Sequence, residues 1–138
     1  MGLSPRILIV DDYLVARTTI RSLLGWHSFE VCGDAKNGKE AIEKVIELKP
    51  EVVLLDLNMP VMNGIQAAYQ IRRIAPSTKI VFFTIHEATE FVGAMHTLGD
   101  AFVPKSAAGT ELIPALNRLA GTPQDGPIKS RRATTDQP

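Results

Sequence analysis

Val52-Val53-Leu54-Leu55-Asp56 is an unbroken apolar run closed by a carboxylate. Continuous apolar character without alternation is that of a strand covered on both faces, as in a parallel sheet. The same form recurs along the chain. Ile7-Leu8-Ile9-Val10 is followed by Asp11-Asp12, Ile80-Val81-Phe82-Phe83 is closed by Thr84, and Ala101-Phe102-Val103-Pro104 is followed by Lys105. If these runs are parallel strands of one sheet, three carboxylates, a hydroxyl and an ammonium converge at its carboxyl edge.

Working outward, strands are expected over 6–10, 30–33, 52–56, 79–84 and 101–103. The second and fifth are the weakest, which suits sheet edges, and Pro104 cannot donate to a ladder. Between the strands the apolar period changes to 3.6. Stripes run through Ala16, Ile20, Leu23 and Leu24; Ala41, Val45 and Leu48; Ala67, Ile71 and Ile74; Phe91, Ala94, Met95 and Leu98; and Leu112, Leu116 and Leu119. Pro50 and Pro76 stand where proline stops a helix. Pro114 is tolerable only within about the first turn of the fifth helix. Alternating β and α elements imply right-handed crossovers and a parallel, doubly wound α/β sheet. In the flavodoxin-like (βα)5 order 2-1-3-4-5, the switch point lies between strands one and three, which end in Asp11-Asp12 and Asp56. Residues 1–120 form this domain, and 121–138, without apolar periodicity, read as a tail or linker.

With the residues in this order, the chain resembles the receiver domain of two-component response regulators. The resemblance rests on Ile7–Asp12, on Leu54-Leu55-Asp56-Leu57-Asn58-Met59-Pro60-Val61-Met62-Asn63-Gly64, and on Thr84 and Lys105. The segments Ala35-Lys36-Asn37-Gly38-Lys39-Glu40-Ala41 and Thr84-Ile85-His86-Glu87 are most similar to the NarL/LuxR-like branch. The resemblance implies that Asp56 accepts a phosphoryl group from a sensor histidine kinase. It implies that Asp12 and Asp56 ligate Mg²⁺ (Mn²⁺ as the alternative ion), with Asn58 supplying a backbone carbonyl and Asp11 orienting metal-bound water. Lys105 and Thr84 then contact phosphoryl oxygens, and Phe102 moves inward as Thr84 shifts. A phosphoacceptor rather than an enzyme is implied, with a homodimer through the helix 4–strand 5–helix 5 face as one mode of output.

The chemistry stands without the resemblance. Three carboxylates in one pocket repel one another, and burial adds to the cost. One ammonium leaves the cluster at a formal −3 + 1 = −2, which a hard divalent cation balances. Phosphoryl transfer needs positioning and neutralisation of charge on the equatorial oxygens, and little else from a protein. The loop Met59–Gly64 shapes the pocket wall, with Gly64 allowing a tight entry to the third helix.

Three departures from the family pattern carry expectations. Proline precedes Lys105 rather than following it, so the lysine loop is held differently. The segment from Thr84 to Lys105 is one residue short, with Gly99-Asp100-Ala101-Phe102 in place of the usual run. Ile85, bulky where many members have Ala or Gly, narrows access to an acyl phosphate.

The bland readings are a solvated pair for Asp11 and Asp12, a turn residue for Asp56, a strand-end β-branched residue for Thr84, a surface charge for Lys105 and plain core for Phe102. His86 reads as a solvent-facing loop histidine, and His27 and His96 as structural. Cys32 reads as a small hydrophobe of an outer strand. Trp26 and Phe29 are expected to pack where the first helix meets the second strand. Lys129, Arg131 and Arg132 read as a solvated linker cluster.

The bulk numbers bound the rest. A net charge of zero from 15 basic and 15 acidic residues gives no general attraction to nucleic acid or anionic membrane. No apolar stretch approaches the roughly 20 residues of a membrane span, the N-terminus lacks a signal-peptide pattern, and one cysteine fits a reducing cytoplasm. Two rivals remain. One is a receiver-like interaction module that works without phosphate. The other is a phosphohydrolase with an aspartyl nucleophile, against which stands Asn58 where many such enzymes carry a second carboxylate.

Overall fold

The computed structural model describes residues 4–85 and 91–120. In chain order the elements are β1 (Arg6–Val10), α1 (Leu14–Trp26), β2 (Glu30–Ala35), α2 (Gly38–Leu48), β3 (Val52–Leu55), α3 (Gly64–Ile74), β4 (Lys79–Thr84), α4 (Val92–Leu98), β5 (Ala101–Pro104) and α5 (Ile113–Leu119). The strands form one parallel sheet in the order β2-β1-β3-β4-β5, as the pattern predicts. The two weak strands are its edges.

The continuous apolar runs are explained by period-2 alternation between two buried faces. Leu8, Val10, Val53, Leu55, Ile80 and Phe82 pack under α2, α3 and α4 with Ala41, Val45, Ala67, Ile71 and Met95. Ile7, Ile9, Val52, Leu54, Val81 and Phe83 pack under α1 and α5 with Ile20, Leu24, Leu112 and Leu116. Each fully buried Leu or Ile contributes roughly 2 kcal/mol relative to exposure, so the three central strands anchor the carboxyl edge from which the polar residues project.

Local chemistry sets the helix starts. Asn37 caps α2 by accepting from Glu40 N–H at 2.8 Å. Asn63 and Gln66 form a reciprocal capping box on α3, at 2.9 and 3.0 Å. Tyr13, at the start of α1, provides no side-chain cap. Instead the Asp11 carboxylate accepts from Tyr13 N–H at 2.9 Å and turns the chain into the helix.

The structure corrects the sequence reading in several places. The β2 strand reaches Ala35, because Asp11 N–H donates to the Ala35 carbonyl at 3.0 Å and prolongs the ladder. The ladder skips Cys32, pairing Ile7 with Val31 and Leu8 with Gly33, and the Cys32 thiol is half-buried against the Ile7 carbonyl. Trp26 is 86% exposed, whereas Phe29 is buried. Leu24 fills the core at the end of α1, and the left-handed Ser28 (φ 67°) carries the chain to Phe29, so Trp26 stays outside. Ile74, at the end of its stripe, is also exposed. Ahead of Pro114 the chain makes a 3₁₀ turn (Lys105–Ala107) and a π-helical turn (Ala108–Leu112). A proline at the second position of α5 cannot donate and crowds the carbonyl four residues back, and the wider turn accommodates it. His86 and the tail 121–138 with Lys129, Arg131 and Arg132 lie outside the described residues.

The turn into β5 is closed by a side-chain clasp. Asp100 N–H donates to the Ile80 carbonyl at 2.7 Å, while the Asp100 carboxylate accepts from Ile80 N–H at 2.8 Å and pairs with Arg72. Arg72 also donates to the Leu98 carbonyl at 2.8 Å and the Thr78 carbonyl at 3.0 Å. The clasp ties the ends of α3 and α4 to the start of β5.

Among the described residues other than glycine, Ser28, Lys49 and Val61 have positive φ, and of these only Val61 is β-branched. Val61 sits at φ 70°, spanned by a Met62 N–H donation to the Pro60 carbonyl at 2.7 Å. A β-branched residue there is an outlier costing about 1–3 kcal/mol. Val61 is exposed, so Val61→Asn removes strain without loss of packing. Thermal unfolding should show a gain of about 1 kcal/mol.

Candidate functional site

Each site residue stands immediately after, or at the last residue of, a central or neighbouring strand. Asp11 and Asp12 follow β1, Asp56 follows β3, Thr84 ends β4 and Lys105 follows β5. Parallel registration brings them together: Asp56 N–H donates to the Val10 carbonyl at 3.0 Å, extending the β1–β3 ladder by one step. The oxygens of Asp11, Asp12 and Asp56 lie within 4.8 Å of one another. Asp11 is 2% and Asp56 7% exposed, while Asp12 faces solvent.

Lys105 supplies the cation. Its ammonium donates to Asp11 Oδ2 and stands 3.7 Å from Asp56 Oδ2, over the Phe83 ring at 6.0 Å from its centroid. Asp56 Oδ1 accepts from Leu57 N–H at 2.8 Å, and the Thr84 hydroxyl, fully buried, donates to the same carboxylate. Burial pushes the Asp56 carboxyl above its ordinary range. The Lys105 ammonium opposes this, the Asp11 charge adds to it, and the Thr84 and Leu57 hydrogen bonds oppose it more weakly. A carboxylate held under such tension gains from a divalent cation or from any partner that neutralises the pocket.

The oxygen-only donor set fits a hard cation such as Mg²⁺, which takes few carboxylates and keeps several waters. The wall of the pocket is the loop between β3 and α3. Gly64 N–H donates to the Leu57 carbonyl at 2.8 Å, and Gly38 N–H donates to the Met62 carbonyl at 3.1 Å, fastening the loop to the start of α2. Asn58 is exposed on this loop.

Phe102 stands apart from the cluster. It lies on the edge strand beside Phe82 in register and is 37% exposed, whereas Thr84 already reaches Asp56. Ile85, next to Thr84, is 68% exposed. Sequence reasoning passed over Arg17, whose guanidinium donates to the Asp11 backbone carbonyl at 2.6 Å. The signal was there in part: Arg17 follows Ala16 on the inner flank of α1, where a charged residue is unusual unless partnered.

The chain is similar to known proteins in both sequence and fold. The response regulator receiver domain family matches residues 7–117. The chain is 35% identical over 116 residues to the chemotaxis protein CheY of Thermotoga maritima, covering 83% of this chain and 97% of that one. It is 32% identical to the nitrate/nitrite response regulator protein NarL of Escherichia coli, covering 95% of this chain and 66% of NarL. Among solved structures, the response regulator protein TrrA of Thermotoga maritima in complex with Mg(2+)-BeF superposes with a TM-score of 0.77 at 30% identity, covering 83% of this chain and 98% of that one.

Proposed function

Because this chain belongs to the response regulator receiver domain family, we propose that it is a phosphorylation-dependent switch whose acceptor is Asp56. The observation that carries the reading is the buried Asp56 carboxylate, flanked by Asp11, Asp12, Lys105 and Thr84 at the sheet's carboxyl edge. An Asp56 oxygen attacks the phosphorus of a sensor kinase's phosphohistidine. The P–N bond breaks, the imidazole leaves with the electron pair, and an acyl phosphate remains on Asp56. In this reading Lys105 and Thr84 meet the transferred oxygens. Asp12 and Asp56 would hold Mg²⁺ with the Asn58 carbonyl, and Asp11 would orient its water; the ion supplies charge neutralisation.

The modification adds about −1.5 to −2 charge. It draws Thr84 further toward the phosphoryl oxygens and opens space for Phe102 to move in from the edge strand. This shifts the population between two arrangements of the α4–β5–α5 face, through which output or dimerisation runs. The protein acts as an acceptor rather than as an enzyme on an external substrate. None of its described helices is long and apolar enough to cross a membrane.

Intact mass tests the reading. Incubation with acetyl phosphate and Mg²⁺ should add one phosphoryl group, and EDTA should prevent it. No gain favours a module that works without phosphate, and steady turnover of phosphate monoesters favours a hydrolase.

The lifetime of the modified form is a further expected outcome. Ile85 narrows the approach of water to the acyl phosphate, so decay should take minutes or longer. Ile85→Ala should hasten it by about threefold to tenfold, less than the 10²-fold and more that loss of a catalytic group brings. Loss of wild-type label within seconds contradicts this.

A further inference from the structure

We propose that Arg17 is a positioning residue of the acidic pocket, holding the Asp11–Asp12 peptide so that both carboxylates face the cation. The inference rests on the phosphoacceptor reading above and concerns how this chain builds its cation site.

Asp11 is fixed on three sides. Its N–H donates to the Ala35 carbonyl at 3.0 Å, and its carboxylate accepts from Tyr13 N–H at 2.9 Å and from Lys105. Asp12 has no such anchors. Its side chain faces solvent and makes no hydrogen bond among the described residues. The direction of the Asp12 carboxylate therefore depends on its backbone, and that backbone begins at the peptide whose carbonyl belongs to Asp11. Arg17 Nη1 donates to this carbonyl at 2.6 Å, across the first turn of α1.

The guanidinium is itself braced from behind. Asp34, one residue before the end of β2, lies 3.5 Å from Arg17 Nε and 3.3 Å from Arg21 Nη2, one helical turn further along α1. Arg17 Nε is buried and makes no hydrogen bond. A buried donor left unpaired carries a desolvation cost and calls for an explanation. The explanation offered by the geometry is that the guanidinium is set by its carbonyl target, while Asp34 supplies charge and support at ion-pair distance. The two contacts are made by different nitrogens of one rigid plane, Nη1 on the carbonyl and Nε toward Asp34, and the single nitrogen of a lysine cannot occupy both positions. Arg17 thus joins α1, the β1 loop and β2 behind the pocket, in the manner of outer-shell groups that orient metal ligands.

The test is Mg²⁺ titration by calorimetry on wild type, Arg17→Ala, Arg17→Lys and Asp34→Asn, each with its thermal unfolding in EDTA. Arg17→Ala should weaken Mg²⁺ binding about tenfold, the range found for outer-shell partners, and Arg17→Lys should recover only a small part. Asp34 is partly exposed, so Asp34→Asn should fold normally and still weaken binding by about two- to threefold, less than removal of Arg17. A role confined to fold stability would move the unfolding midpoint and leave the Mg²⁺ affinity of folded protein unchanged. Wild-type affinity in Asp34→Asn and Arg17→Lys overturns the proposal, even if Arg17→Ala does not fold. Absence of Mg²⁺ binding by wild type overturns the cation reading of the pocket as well, which separates the two failures.

Discussion

Asp56→Asn should abolish phosphoryl incorporation and, in metal-free buffer at neutral pH, should raise the unfolding midpoint. The first half follows from chemistry, because an amide nitrogen and carbonyl cannot replace the attacking carboxylate oxygen. The second follows from burial. Asp56 has a folded-state pKa above its unfolded value, with desolvation as the largest cause. Between those two values the folded state binds more protons than the unfolded one. Stability therefore falls as pH rises through that window, and the ionised side chain is a liability at neutrality. Asparagine removes the charge and the repulsion from Asp11 while keeping an acceptor for Leu57 N–H. The gain should vanish at a pH below the unfolded value, where Asp56 is protonated in both states. Scanning calorimetry of both proteins from acid to neutral pH reads it. A midpoint at pH 7 below that of wild type would contradict the account of Asp56 as a carboxylate held at a cost for function.

Gly64→Ala should lower the unfolding free energy by about 2–3 kcal/mol and slow phosphorylation by more than about tenfold. A Cβ at Gly64 falls against the Asp56 carbonyl oxygen, and within 2.9 Å of Asp56 C and of Leu57 Cα. All three are backbone atoms, so no side chain can yield by changing rotamer. The backbone itself must move, and it is the backbone that carries the acceptor, fixed by Asp56 N–H to the Val10 carbonyl and by Gly64 N–H to the Leu57 carbonyl. Displacement of the acceptor by a fraction of an ångström spoils in-line geometry with the phosphoryl donor. Chemical denaturation and the rate of label uptake from acetyl phosphate measure the two effects. A variant with wild-type stability and rate would show that the close approach is not required.

Much of this was legible in the chain. The apolar runs around Leu8, Leu54 and Phe82 identify buried parallel strands because both of their faces are covered, and the polar residue that ends each run marks the carboxyl edge. Asp11, Asp12, Asp56, Thr84 and Lys105 therefore fell together once the strand order was drawn. What escaped depends on long side chains and on local backbone energy. Arg17 and Arg72 act through guanidinium groups that reach carbonyls many residues away, and no periodicity reports such reach. The clasp of Asp100 with Arg72 and Ile80 is likewise a matter of three-dimensional closure rather than pattern. Trp26 misled because a large aromatic near a helix end suggests core, whereas the turn at Ser28 gives that place to Phe29. Val61 at positive φ carries no sequence signal, since valine is among the residues least expected there.

The most direct measurement is chemical trapping of the acceptor. Wild-type protein is incubated with acetyl phosphate and Mg²⁺, reduced with borohydride, digested and mapped by mass. An acyl phosphate on Asp56 is converted to homoserine at that position, dependent on Mg²⁺ and on the donor, and this is the predicted result. No conversion at Asp56, or conversion at Asp11 or Asp12 instead, would contradict the assignment of Asp56 as the phosphoacceptor.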